Sequence, residues 1–189
     1  MTLQWVLNEH GVSTDNGKLF DTSVAFDAMV GTFESDKSID YTTMFEPTAS
    51  EYVALGKGYI VASVGEASGE VPYTAFSAQK SWLKDNKSTA KAFLRAVMRG
   101  YNYMVASTPE EVAKALKKSF AGTSEASIAA AVKSYISIDA WSHTPVMSES
   151  AFNHLQEIME NAGTLKSRAD YSKAVDNTLA NELLKELGE

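Results

Sequence analysis

The sequence has no cysteine, which excludes disulfides, thiolate catalysis and cysteine-ligated zinc. It leaves the compartment open, because extracytoplasmic bacterial proteins often lack cysteine. No apolar run approaches the roughly 18 to 20 residues of a membrane span. Met1-Thr2-Leu3-Gln4-Trp5 has neither the basic start nor the apolar centre of a signal peptide, so the sequence as written reads as soluble and without an address. Basic residues are outnumbered, 17 Lys and Arg against 24 Asp and Glu, and the net charge of −7 argues against nucleic acid as a partner. There are three histidines, His10, His143 and His154. They lie far apart, none in a His-Glu-x-x-His arrangement, so they read as surface or capping residues and no metal site is assigned. Gly-x-Ser-x-Gly is missing, and the Gly65 to Gly69 loop lacks the lysine and spacing of a phosphate loop, which leaves it as a turn or as amides lining a cleft. No catalytic residue and no cofactor is expected.

What remains is ordinary for a globular chain, 44% hydrophobic and 22% charged residues over 189 positions, enough for one domain or one and a fraction. Ile39 to Phe45 is rich in β-branched and aromatic residues and stops at Glu46-Pro47, where proline removes an amide donor. Gly58 to Val64 reads as a second strand, Tyr73 to Phe76 as a third after Pro72, and Phe20 to Val24 as a shorter one. Helices are expected between them: Leu3 to His10 closed by Gly11, a turn over Ser13 to Lys18, a helix from Ala25 to about Asp36, and another from Glu46 to Gly56. Alternating strands and helices predict an α/β fold with a largely parallel sheet. Small molecules bind such sheets beyond the carboxyl ends of the strands.

After Phe76 the pattern becomes helical. Ala90, Phe93, Leu94, Val97, Met98, Tyr101 and Val105 recur as one stripe, which predicts a core helix. Lys91, Arg95 and Arg99 fall on its opposite side and, with Lys80, Lys84 and Lys87, read as a solvated face interrupted at Asp85-Asn86. Thr108-Pro109-Glu110-Glu111 is a capping box opening a helix to about Ser119. Ile128 to Ile136 carries the next stripe. Phe152 to Ala162 carries another, capped by Ser148 and stopped by Gly163, and a last helix runs from about Asp170 towards Leu187.

The runs FEPTASEY, GKGYIVASVG and GEVPYTAF, followed by KSWLKDNKSTAKAF and WSHTPVMSESAF, resemble the second half of ABC-importer solute-binding proteins, in the branch of nitrate, sulfonate, taurine and thiamine-pyrimidine binders. The resemblance covers nearly the whole chain and implies a periplasmic-binding-protein type 2-like fold, two lobes that close on a solute and present it to a membrane permease. Its members are longer, and residues from Met1 align inside the second lobe, so the chain reads as a carboxyl-terminal portion with an incomplete two-lobed fold. Residues 1–72 would be part of the second lobe, and 73–189 the crossover and helix-rich return to the first. The whole protein would be extracytoplasmic, periplasmic or a cell-surface lipoprotein, and the shortened chain would self-associate or repack to cover exposed faces.

Glu46 has two readings. It is either a first-turn residue stabilised by a helix dipole or a cleft carboxylate selecting hydrogen-bond donors. Tyr41, Phe45, Tyr73 and Trp141 are core residues or aromatic walls for a flat heterocycle, and Thr42, Thr43, Thr48 and Thr74 supply hydroxyls. The resemblance points to Glu46, Thr48, Tyr73 and Thr74 as ligand-facing, with Thr43 and Tyr41 beside them. Two other functions fit less well. A pyrimidine-precursor synthase of the thiamine pathway shares the fold, but its cysteine-rich motif has no counterpart here. A helical protein-interaction module would have to use the basic face.

Overall fold

Capping chemistry decides where five of the described helices begin. The computed structural model of the protein describes residues 1–14 and 19–188. In it the Thr108 hydroxyl accepts the Glu111 amide at 3.3 Å while the Glu111 carboxylate accepts the Thr108 amide at 2.8 Å, so two donors at the helix start are satisfied reciprocally. Ser63, Ser124, Ser148 and Asp170 cap four further helices by accepting one first-turn amide each, without the return bond. The chain runs through α1 (Thr2–Glu9), a 3-10 turn (Phe26–Ala28), α2 (Met29–Ser35), α3 (Thr48–Ala54), α4 (Val64–Ser68), α5 (Lys80–Asp85) and α6 (Lys87–Ala106). It continues with α7 (Pro109–Leu116), α8 (Glu125–Ser137), α9 (Glu149–Asn161), α10 (Tyr171–Ala174) and α11 (Thr178–Leu187). The expected glycine stops at Gly11, Gly56 and Gly163 all have positive φ, near +70°, which an L side chain enters only at a cost. Of the expected turn over Ser13 to Lys18, residues 15–18 lie outside the described ones.

Val112, Ala113, Ile128, Ala129 and Val132 form the largest buried cluster, where α7 packs on α8 with Met104 of α6 against it. α11 packs on α6, α1 on α4 and α9, α10 on α9, and α3 on α8. Among the described residues Ile158 and Leu183 are the largest fully buried side chains.

Five expectations need correction. The described residues contain no β-strand: 20–24, 39–45, 58–63 and 73–76 are neither helical nor paired. Propensity marks a segment that can join a sheet, but a strand exists only when a second one supplies its ladder. Among the described residues none does, and Tyr59, Val61 and Phe76 are exposed. Second, Gly65 to Gly69 is mostly helix α4, because the Ser63 hydroxyl accepts the Glu66 amide and nucleates a turn. Third, the last helix is two, α10 and α11, separated by extended Val175. The Asn177 side chain is drawn to the Met147 backbone and holds the break open.

The stripe of α6 is also narrower than its periodicity. Ala90 and Met98 are buried, but Phe93 is 47% exposed and Val105 51%. Phe93 rests edge-on against Phe76, itself largely exposed, so its cover is thin. Finally, the face with Lys91 and Arg95 is not simply solvated. Lys91 pairs with Glu182 at 2.7 Å and Glu186 at 3.0 Å, and Arg95 with Glu186 at 2.6 Å, tying α6 to α11.

Candidate ligand site around Glu46

The Glu46 carboxylate is held at the start of α3 by its bonds to Ser50. Glu46-Pro47 is a cis peptide, and α3 starts directly after it with no side-chain cap from Pro47. Glu46 fills that role: its two carboxylate oxygens accept the Ser50 amide at 3.0 Å and the Ser50 hydroxyl at 2.9 Å. An acceptor group there also meets the positive end of the short helix. Each carboxylate oxygen has two lone pairs, so acceptor capacity remains for a donor on a ligand. The Glu46 amide donates to the Tyr135 hydroxyl of α8 at 3.2 Å, fastening this corner to the helical core.

Around the carboxylate is a line of aromatic rings. Phe45 packs against Phe26, with centroids 5.6 Å apart, and against Tyr73, at 5.3 Å; Tyr135 meets Trp141 edge-to-face at 5.3 Å. Phe26, Phe45 and Tyr73 are exposed, Tyr73 to 80%. Burial pushes the Tyr135 phenol above its ordinary value. The Glu46 amide opposes that shift, and the nearby Glu46 and Tyr73 charges add to it. Glu46, Tyr73 and Tyr135 are therefore electrostatic neighbours.

The structure brings Tyr73 to the Glu46 segment through Phe45. Thr48 opens α3 and is exposed, Thr43 is half-buried, and Thr74 is exposed beside Tyr73. Tyr41 is 75% exposed and has no ring partner among the described residues. Tyr135 and Phe26 are neighbours that sequence reasoning missed. Tyr135 lies 89 positions from Glu46, inside a stripe that reads as core, and no local pattern marks it. The histidines take no part: His154 bonds the Ser68 carbonyl at 2.8 Å and His143 the Asp139 carboxylate at 2.6 Å. Among the described residues no group of histidine and acidic side chains is arranged to hold a metal, and no helix is long and apolar enough to cross a membrane.

The sequence pattern of the NMT1-like family matches residues 1–121. The chain is also 31% identical, over 186 residues, to the Bacillus subtilis (strain 168) protein named "Putative binding protein YtlA". That alignment takes in 98% of this chain and 55% of the relative, so the chain spans about half the length of the curated relative it matches. No solved structure matches.

Proposed function

Because this chain belongs to the NMT1-like family, a family of nitrate, sulfonate and thiamine-pyrimidine binders with a periplasmic-binding-protein type of fold, we propose that it is part of the solute-binding component of an ABC importer. The residues proposed to face the solute are Glu46, Thr48, Tyr73 and Thr74, with Thr43 and Tyr41 beside them. One observation carries the reading: the hydroxyls of Thr43, Thr48, Thr74, Tyr41 and Tyr73 make no hydrogen bond among the described residues, and they lie on the segments that flank the half-buried Glu46 carboxylate. Polar groups free of internal partners, next to exposed aromatic faces, suit a small polar molecule with a flat ring.

An acceptor-only carboxylate favours a ligand that donates hydrogen bonds, such as an aminopyrimidine, over a sulfonate or nitrate. Residues 1–72 would belong to one lobe and 73–189 to the crossover and the return to the other. Closure of two lobes around the solute would then create contacts absent from the open form, and that differential affinity would shift the population towards the state a permease engages. The whole protein would work outside the cytoplasm and is read as a binder, not an enzyme. The exposed apolar segments make self-association of the 189-residue chain the expected behaviour.

Calorimetric titration with an aminopyrimidine, taurine and nitrate tests the reading, with light scattering to record the mass of the species titrated. Binding of the aminopyrimidine is expected, weakened in Glu46→Gln by about 1–3 kcal/mol, the range for a hydrogen bond to a charged group. Equal affinity in Glu46→Gln would leave Glu46 with its helix-start role alone. Tighter binding of taurine or nitrate would overturn the choice of ligand class.

A further inference from the structure

The ends of α6 and α8 enclose a recess of about 40 Å³, walled by Tyr101, Met104, Tyr135, Ile136, Asp139 and Trp141. It exceeds the roughly 10–15 Å³ that one water requires and is far below the roughly 300–1,000 Å³ of a typical ligand pocket. A head group fits it; a heterocycle does not. None of the lining residues is cationic. Three of them offer aromatic rings, and the one ionised side chain in the wall is a carboxylate.

We propose that this recess binds the ammonium head group of a small alkylammonium compound, between the rings of Tyr101, Tyr135 and Trp141 and beside the Asp139 carboxylate. Two independent features favour a cation. Indole and phenol faces carry negative quadrupole charge that attracts ammonium groups. Asp139 lies one residue past the Ile138 cap at the carboxyl end of α8, where the helix dipole is negative. The φ of 51° at Asp139 belongs to the helix stop, where the Asp139 amide donates to the Ile136 carbonyl and the Ala140 amide to the Tyr135 carbonyl, and it fixes where the carboxylate projects. The chain already places a basic ring at the rim. His143 stacks on Tyr101 with centroids 5.5 Å apart and planes 29° apart, and its Nε2 lies 2.6 Å from Asp139. An ammonium ligand would share that carboxylate. Tyr135 also accepts the Glu46 amide, but Glu46 does not line the recess, and the inference does not depend on the importer reading.

The test is a titration of the 189-residue chain with n-propylammonium chloride, followed through the indole N–H resonances. These are assigned from the single variants Trp5→Phe, Trp82→Phe and Trp141→Phe. The Trp141 resonance is expected to move saturably, while propanol, sodium propionate and sodium chloride at equal concentration leave it in place. Asp139→Asn should weaken the binding about tenfold, and asparagine enters the left-handed region readily enough to keep the backbone. An equal shift with propanol would mean apolar contact alone and would overturn the proposal. So would a shift reproduced by sodium chloride, or unchanged affinity in a folded Asp139→Asn. Once the resonances are assigned, the comparison of probes is made on the native chain and does not depend on the folding of Asp139→Asn.

Discussion

Asn177 holds a corner that three elements share, and Asn177→Ala tests how firmly. Its side-chain carbonyl accepts the Met147 amide at 3.1 Å, and its side-chain NH2 donates to the Met147 carbonyl at 2.9 Å and to the Tyr171 hydroxyl at 2.8 Å. The Tyr171 hydroxyl in turn donates to the Met147 carbonyl at 2.6 Å. At a net 0.5–1.5 kcal/mol for each of the bonds lost, with a partly buried amide left unpaired, the variant should lose about 3 kcal/mol. Urea unfolding followed by circular dichroism measures it, as a lower midpoint at unchanged slope. Tyr171→Phe should cost about 1–2 kcal/mol, and the double variant less than the sum of the two, because both residues serve the same Met147 carbonyl. A loss below about 0.5 kcal/mol for Asn177→Ala, or strict additivity, would mean that these contacts do not hold α10 and α11 against the loop before α9.

Other expectations follow from burial and charge. Met98, 4% exposed, should cost about 2–5 kcal/mol on replacement by alanine, whereas Phe93, 47% exposed, should cost only about 1–2 kcal/mol. Equal thermal shifts for the two variants would contradict the side of α6 assigned to the interior. Glu186 titrates below the ordinary carboxylate range because the Lys91 ammonium, and after it Arg95, favour its charged form. Its folded value is therefore lower than its unfolded one, so its contribution is complete above the ordinary range and is lost as pH falls through the depressed value. Glu186→Gln should flatten the acid limb of Tm against pH, and an unaltered limb would show that the α6–α11 ion pairs are without thermodynamic effect.

Helix starts were the most legible part of the structure, because a cap is chemistry confined to four residues. Thr108 with Glu111, and Ser148 before α9, behave as their spacing predicts. Strands were not legible in the same way. Gly58 to Val64 has the composition of a strand, but pairing depends on residues distant in sequence, and no described segment supplies it. The stripe of α6 failed for a related reason: periodicity shows which side of a helix can be buried, not how much of it a neighbour covers. At the candidate site, Glu46 was visible from its place before proline. Its contact with Tyr135 was not, because it joins residues 89 positions apart. Asn177 broke a helix for the same kind of reason, since its partner Met147 lies 30 positions earlier.

The packing of α1 has a consequence for synthesis. Asn8 bonds Asn161, 153 positions later, and Trp5 meets His154 edge-on at 4.7 Å. At ribosomal rates of about 5–20 residues per second, α9 emerges roughly 8–30 s after α1. Until then, of its neighbours α4 and α9, α4 is the one already made. α1 is thus made well before its full set of neighbours, and through that interval the side it later turns to α9 stays uncovered.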